Sequence, residues 1–411
     1  MADTENSTPR AGDEVEVTIR SIAFGGDGVA RHGNYVLFVP DVIPGETIIA
    51  RISEVKRSYG RALPVKILHA SPDRVEPACD VYGLCGGCQY QHVAYGRSLE
   101  LKQRQVKEVM LRIGGLEIEG DFDTMRAAPD AYAYRNAISL HLRESEGTRR
   151  AGYFARDNRT FVPISHCPIA SNEINEALPG IEAVVEGFEH PESIKSLIIK
   201  NAGDRRLVHP VYRKPIRFMP DERLSYRYKH INFHYGPKSF FQVNHTMIPV
   251  LIELARDGLA PDPGQMLLDL YAGVGLFSLA LADKYDRVVG IEAGEEAVAC
   301  FETNVAENGI GNVTVVRGRV EENLKAVHRE TEGGAVSVLV DPPREGLKKN
   351  LIGFLKDAQI AKLVYVSCDP ATLARDLKAL GSAYSIRKIT PLDMFPQTKH
   401  IETVTVMEKR H

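Results

Sequence analysis

The chain has 411 residues, 44% hydrophobic and 26% charged, which suits a globular protein of two or three domains. Its net charge of -3 provides no global basic field, so any nucleic-acid site has to be a local patch. No apolar run approaches the ~18 residues of a membrane span, and MADTENSTPR lacks an apolar signal core. Six cysteines are too few for a disulfide scaffold, so the expected location is cytoplasmic.

Residues 1–10 read as a disordered tail. Residues 11–70 alternate short apolar strands (EVEVTIRSIAFGGDGVA, YVLFVP, ETIIARI, LPVKIL) with Gly and Pro turns, the pattern of a small all-β barrel. Residues 71–240 form a central, largely β-rich region that opens with CDVYGLCGGC, where Cys79, Cys85 and Cys88 fall within ten residues. A reducing compartment favours metal over a disulfide there. Residues 96–113 place Leu99, Leu101, Val106, Val109 and Met110 on a helical stripe. Residues 195–230 hold ten Lys/Arg against three acids, with Tyr212, Phe218, Tyr226 and Tyr228 interleaved. A smaller basic run (Arg51, Lys56, Arg57, Arg61, Lys66) lies in the barrel. Such runs are usually solvated faces, but interleaved aromatics suit single-stranded RNA with splayed bases.

Residues 241–411 change character. MLLDLYAGVGLFSLALA, RVVGIEA, VTVVRG, VSVLVDPP and AKLVYVSC start five strands with helical segments between them, which predicts a Rossmann-like α/β domain with a largely parallel sheet. After the first strand, Ala272-Gly273-Val274-Gly275 lets a ligand approach a helix N-terminus. Glu292 ends the second strand, where a carboxylate accepts hydrogen bonds from ribose hydroxyls. The absent third glycine argues against a dinucleotide site, whereas S-adenosylmethionine (SAM), with no pyrophosphate, needs only the shorter turn. Asp341 ends another strand and is fixed by Pro342-Pro343. Cys368 precedes Asp369-Pro370, which reads as an N-cap with Pro at the first helical position, and a thiol there has its thiolate favoured by the helix dipole. Glu402, in HIETVTVMEK, is either a solvated strand residue or, if it faces the same cleft, a base with a raised pKa.

FFQVN (240–244), DLYAGVG (269–275), IEA (291–293), DPPREG (341–346), SCDPATLARD (367–376) and HIET (400–403) together resemble the SAM-dependent RNA 5-methyluridine methyltransferases. The barrel resembles that family's TRAM domain, and CDVYGLCGGC with HCP (166–168) its cluster motif. The resemblance implies a TRAM barrel, a central iron–sulfur and RNA-binding domain, and a class I methyltransferase domain, with helix 96–113 packing on the last. It implies Cys368 as nucleophile, Glu402 as general base, and Gln242, Tyr271, Glu292 and Asp341 around SAM. Two positions depart from the pattern: Ala272 stands where many members have cysteine, and Leu276 where some have a polar residue. The implied reaction adds a thiolate to C6 of uracil, methylates C5, and resolves the adduct when a base removes the C5 proton. The expected partner of this monomer is tRNA or 23S rRNA with the target uridine flipped out.

Other readings are weaker. A methyltransferase for exocyclic amines pairs its Pro-Pro motif with an aromatic residue, where this chain has Arg344, and needs no thiol. A non-catalytic RNA-binding protein has no use for the full set of site residues. Radical-SAM enzymes use C-x3-C-x2-C, not C-x5-C-x2-C. The three clustered sulfurs leave a closed metal site one ligand short. Cys300 reads as core, which leaves Cys167, in SHCPI, as the fourth ligand. Zinc on four thiolates fits; the uneven spacing and the family resemblance point instead to a 4Fe–4S cluster.

Overall fold

A computed structural model describes residues 9–118, 121–145, 148–203, 205–214, 222–261, 264–324, 327 and 336–410. Residues 1–8 of the expected tail, and Arg217 and Phe218 of the basic stretch, lie outside the described residues. The chain divides into two compact units: Met1–Glu108, Tyr153–Val162 and Phe395–His400 form one, and Val109–Gly152, Pro163–Met394 and Ile401–His411 the other. No helix among the described residues is long and apolar enough to cross a membrane.

The first unit is built on the barrel sheet: β1 (Glu14–Thr18), β2 (Ser21–Ile22), β3 (Gly28–His32), β4 (Tyr35–Val39), β5 (Thr47–Val55) and β6 (Tyr59–His69), in the order β1-β5-β6-β4-β3-β2. Alternation in β5 turns Ile48, Ala50 and Ile52 inward to meet Val17, Ala30, Leu37 and Val39. Glu46, fully buried before β5, is gripped by Arg74 at 2.6 and 2.7 Å and by the Ile43 amide at 2.8 Å. Burial raises its carboxyl, but the Arg74 and backbone hydrogen bonds outweigh this and hold it below the ordinary value. The cysteine-bearing segment follows as turns, and then the helix Tyr95–Val109.

Strands β7 (Ala137–Ser145), β8 (Thr148–Phe154), β9 (Phe161–Pro163), β10 (Ile194–Ala202) and β11 (Arg205–Tyr212) form a sheet ordered β11-β10-β7-β8-β9, of which Tyr153–Val162 is counted with the first unit; in the second unit, β12 (Leu224–Tyr228) pairs with β13 (Ile231–Tyr235). The larger sheet contains β14 (Met266–Leu270), β15 (Arg287–Glu292), β16 (Val313–Arg317), β17 (Val336–Val340), β18 (Ile360–Ser367), β19 (Tyr384–Leu392) and β20 (Glu402–Lys409), in the order β16-β15-β14-β17-β18-β20-β19. Its first five strands are the parallel ones expected from the sequence. β20 inserts antiparallel between β18 and β19. The order reverses at β14, which opens a crevice at the carboxyl ends of the strands beside it.

Candidate active site

The strand registers bring the site residues to one edge. Leu270 lies opposite both Ile291 and Val340, Val340 opposite Tyr365, and Ser367 opposite Thr403. Tyr271, Asp341 and Cys368 each come one residue after their strand ends, and Glu292 is the last residue of β15. Because β20 runs antiparallel, its first residue, Glu402, arrives at the same edge.

At the cofactor side, the turn after β14 has φ of +67° at Tyr271, +59° at Gly273 and +88° at Gly275. A Cβ at Gly275 would sit 2.3 Å from the Phe301 ring, so only glycine fits. Space is open at Gly273, where a Cβ would meet nothing within 4 Å. The Glu292 carboxylate accepts from the amides of Gly273 at 2.9 Å, Ala293 at 2.8 Å and Gly294 at 2.6 Å. These bonds hold it oriented beside the glycine turn with acceptor capacity left for a diol. The Tyr271 hydroxyl donates to Glu321 at 2.7 Å. Below the turn, Asp269 is fully buried and accepts from the amide and hydroxyl of Ser278, at 2.9 and 2.6 Å. Burial pushes its carboxyl up to about 6 against those two bonds. Gln242 is buried on the segment after β13, its carbonyl accepting from Asn136 Nδ2 at 3.0 Å. A close-approach glycine turn beside an oriented carboxylate fits SAM.

On the reactive side, the Cys368 thiol is only part-buried, and Glu402 is 4% exposed. The dipole-activated thiolate expected from the sequence is not what the surroundings favour. Burial, then the charges of Glu402 and Asp341, push the thiol up to about 11, with Arg344 opposing. The helix Pro370–Leu380 does start here, but the Asp369 carboxylate occupies its free amides, accepting from Ala371 at 2.9 Å and Thr372 at 3.0 Å. Burial, then Asp341, hold the Glu402 carboxyl well above the usual carboxylate range, again against Arg344. Burial and Asp269 raise Asp341 as well. One thiol and two carboxyls thus share an environment that disfavours negative charge, with Arg344 the cation opposing it at Cys368 and Glu402.

Sequence reasoning missed Asp376, the last residue of SCDPATLARD. It is fully buried and accepts from the Leu347 amide at 2.8 Å, the Tyr365 hydroxyl at 2.9 Å and Arg375 Nε at 2.9 Å. Arg375 also donates to the Glu345 carbonyl at 2.8 Å, so this helix holds the loop that begins with Asp341. The available signal was an acid on the buried face of a helix, at the spacing of Leu373 and Leu377.

Of the interleaved aromatics, two are engaged within the fold: Tyr228 is buried, and Tyr226 packs on His245 and Phe241 with ring centroids 4.6 and 5.7 Å apart. Lys200 is buried too, donating to the carbonyls of Gly236 and Ser239 at 2.9 and 2.8 Å. The 4Fe–4S cluster expected on Cys79, Cys85, Cys88 and Cys167 is not shown: all four side chains are partly exposed and none is in a disulfide, and among the described residues no three His, Cys, Asp or Glu side chains converge to hold a metal ion.

The family model for tRNA (uracil-5-)-methyltransferase matches residues 216–410, and that for the TRAM domain residues 10–65. An uncharacterized RNA methyltransferase of Thermosynechococcus vestitus is 32% identical, over 96% of this chain and 98% of its own. One of Halalkalibacterium halodurans is 30% identical, over 97% and 98%. The crystal structure of Pyrococcus abyssi tRNA (uracil-54, C5)-methyltransferase in complex with S-adenosyl-L-homocysteine superposes with a TM-score of 0.74, at 26% identity, covering 95% of this chain and 99% of that one. An N-terminal TRAM barrel, a SAM-type sheet edge and relatives matched end to end make this chain a member of the RNA uracil-5-methyltransferase family, a SAM-dependent enzyme acting on RNA.

Proposed function

We propose that the chain methylates C5 of a specific uridine in RNA through a covalent adduct at Cys368, with Glu402 as general base and Gln242, Tyr271, Glu292 and Asp341 around the cofactor. The observation that carries this reading is that a thiol and a buried carboxyl reach one sheet edge from β18 and from the antiparallel β20. SAM supplies an electrophilic methyl group on a sulfonium centre. Cys368 gives up its proton to solvent and bonds to C6 of uracil, the ring becomes an enolate, and C5 takes the methyl group as the sulfonium's S–CH3 bond breaks to leave a neutral thioether. Glu402 then removes the C5 proton, the C5–C6 double bond re-forms and the thiolate leaves. A carboxylate above its usual pKa range is a stronger base than a solvated one, and a cation entering the cleft makes Cys368 and Glu402 more acidic when ionisation is needed. The uridine is flipped out of its stack to reach them.

The Pyrococcus abyssi likeness makes a tRNA uridine the first substrate to assay and 23S rRNA the second. Mass mapping of 5-methyluridine in RNA from a deletion strain decides between them. Cys368→Ala should abolish turnover while SAM binds within about twofold of the parent; full activity in that variant would sink the mechanism. A cluster on Cys79, Cys85, Cys88 and Cys167 stays outside this reading, and iron and sulfide analysis of anaerobically purified protein tests it.

A further inference from the structure

The cysteine-bearing segment is left without a task, yet the residues that follow it make an unusual set of contacts. The amides of Gln89 and Tyr90 both donate to the Gln397 carbonyl, at 2.9 and 3.0 Å. The Gln89 side chain accepts from the Lys399 amide at 2.9 Å and donates back to the Gly86 carbonyl at 2.9 Å, tying this contact to the turn between Cys85 and Cys88. From the next helix, Lys102 is fully buried and donates to the carbonyls of Phe395 and His400 at 3.2 and 3.4 Å, with its ammonium 5.4 Å from the Tyr90 ring centroid.

The strap these groups hold, Phe395–His400, is neither helix nor strand; within it the Thr398 amide and hydroxyl donate to the Phe395 carbonyl at 3.2 and 2.9 Å. Gln397 sits at φ +66°, left-handed for a residue with a side chain, and its Oε1 is buried with no hydrogen-bond partner among the described residues. Burying an ammonium is costly and a strained backbone persists only where its surroundings over-determine it. Both costs fall on the segment immediately before β20. The chain re-enters the second unit at Ile401, and Glu402 follows. Only Ile401 separates His400, the last residue of the strap, from Glu402, the first residue of β20.

We propose that Gln89 and Lys102 are positioning residues for Glu402: the cysteine-bearing segment and its helix fix the strap that delivers the base to the adduct. This rests on the reading of Glu402 as the base. Loosening the strap slows removal of the C5 proton while leaving thiol attack and methyl transfer in place, so enzyme accumulates as the covalent RNA adduct. A residue needed only for stability would lower all steps together.

The test incubates Lys102→Met, Gln89→Leu and Glu402→Gln with SAM and total RNA from a deletion strain, and quantifies the denaturation-resistant protein–RNA band. The proposal expects Lys102→Met and Gln89→Leu to raise that band at least fivefold over the parent, with SAM affinity within about twofold and an unchanged circular dichroism spectrum. If Glu402→Gln accumulates adduct while Gln89→Leu and a folded Lys102→Met do not, the positioning role is overturned and the base assignment stands. If Glu402→Gln itself gives no band, the base assignment fails and the positioning role falls with it. Should Lys102→Met fail to fold, Gln89→Leu alone decides.

Discussion

Asp376→Ala isolates the support beneath the loop that begins with Asp341. The substitution removes one fully buried carboxylate and strands two donors, the Leu347 amide and the Tyr365 hydroxyl. Each buried donor left without an acceptor costs about 1–3 kcal/mol. The half-exposed Arg375 adds little, because solvent screens it, and relief of the carboxylate's own desolvation offsets part of the loss. A net cost of about 3 kcal/mol is expected, which for a unit of this size lowers the melting temperature by about 6–12 °C. The chain has no tryptophan, so unfolding is followed by far-UV circular dichroism. At 25 °C, where the variant remains folded, kcat should fall at least tenfold because the loop from Asp341 to Gly346 loses its anchor. A melting shift below 2 °C, or full kcat, would refute the claim that Asp376 holds the loop.

Other consequences are equally specific. As the proposed base, Glu402 has to be ionised to act, and its folded pKa lies above the ordinary value of 4.5, so the acid limb of the kcat profile should lie well above pH 4.5. A limb at the solvated-glutamate value would contradict its burial. With the Cys368 thiol raised to about 11, single-turnover adduct formation should speed up as pH rises through neutrality; a flat profile would argue against the thiol as nucleophile. Gly275→Ala combines φ of +88° with a Cβ 2.3 Å from Phe301, and should cost about 3 kcal/mol in stability and weaken SAM binding in calorimetry. The folded pKa of Glu46 is lowered, so its contribution is fully present above the unfolded value of 4.5 and is lost as pH falls below it. The melting-temperature gap between the parent and Glu46→Gln should therefore close as pH drops from 7 to below 4.

The parallel half of the large sheet was legible because buried parallel strands are continuous apolar runs separated by helical segments, as in MLLDL, VSVLV and LVYVS. Asp341 and Cys368 could be placed at its edge because each follows such a run. Glu402 could not be placed from local pattern, since its position depends on β20 inserting antiparallel next to β18. The packing of Tyr226 was not legible, because a tyrosine that stacks on a base and one that packs on Phe241 have the same local sequence signal. Nor could the return of Phe395–His400 to the first unit be foreseen, because it depends on contacts between residues about 300 apart, such as that of the Lys102 side chain with the Phe395 carbonyl.

The covalent mechanism is tested most directly with RNA carrying 5-fluorouridine at the target position, where fluorine blocks the final proton removal. The account predicts a SAM-dependent, denaturation-resistant complex whose cross-linked peptide maps to Cys368 and which Cys368→Ala does not form. No complex, or one mapped to any other cysteine, would contradict it.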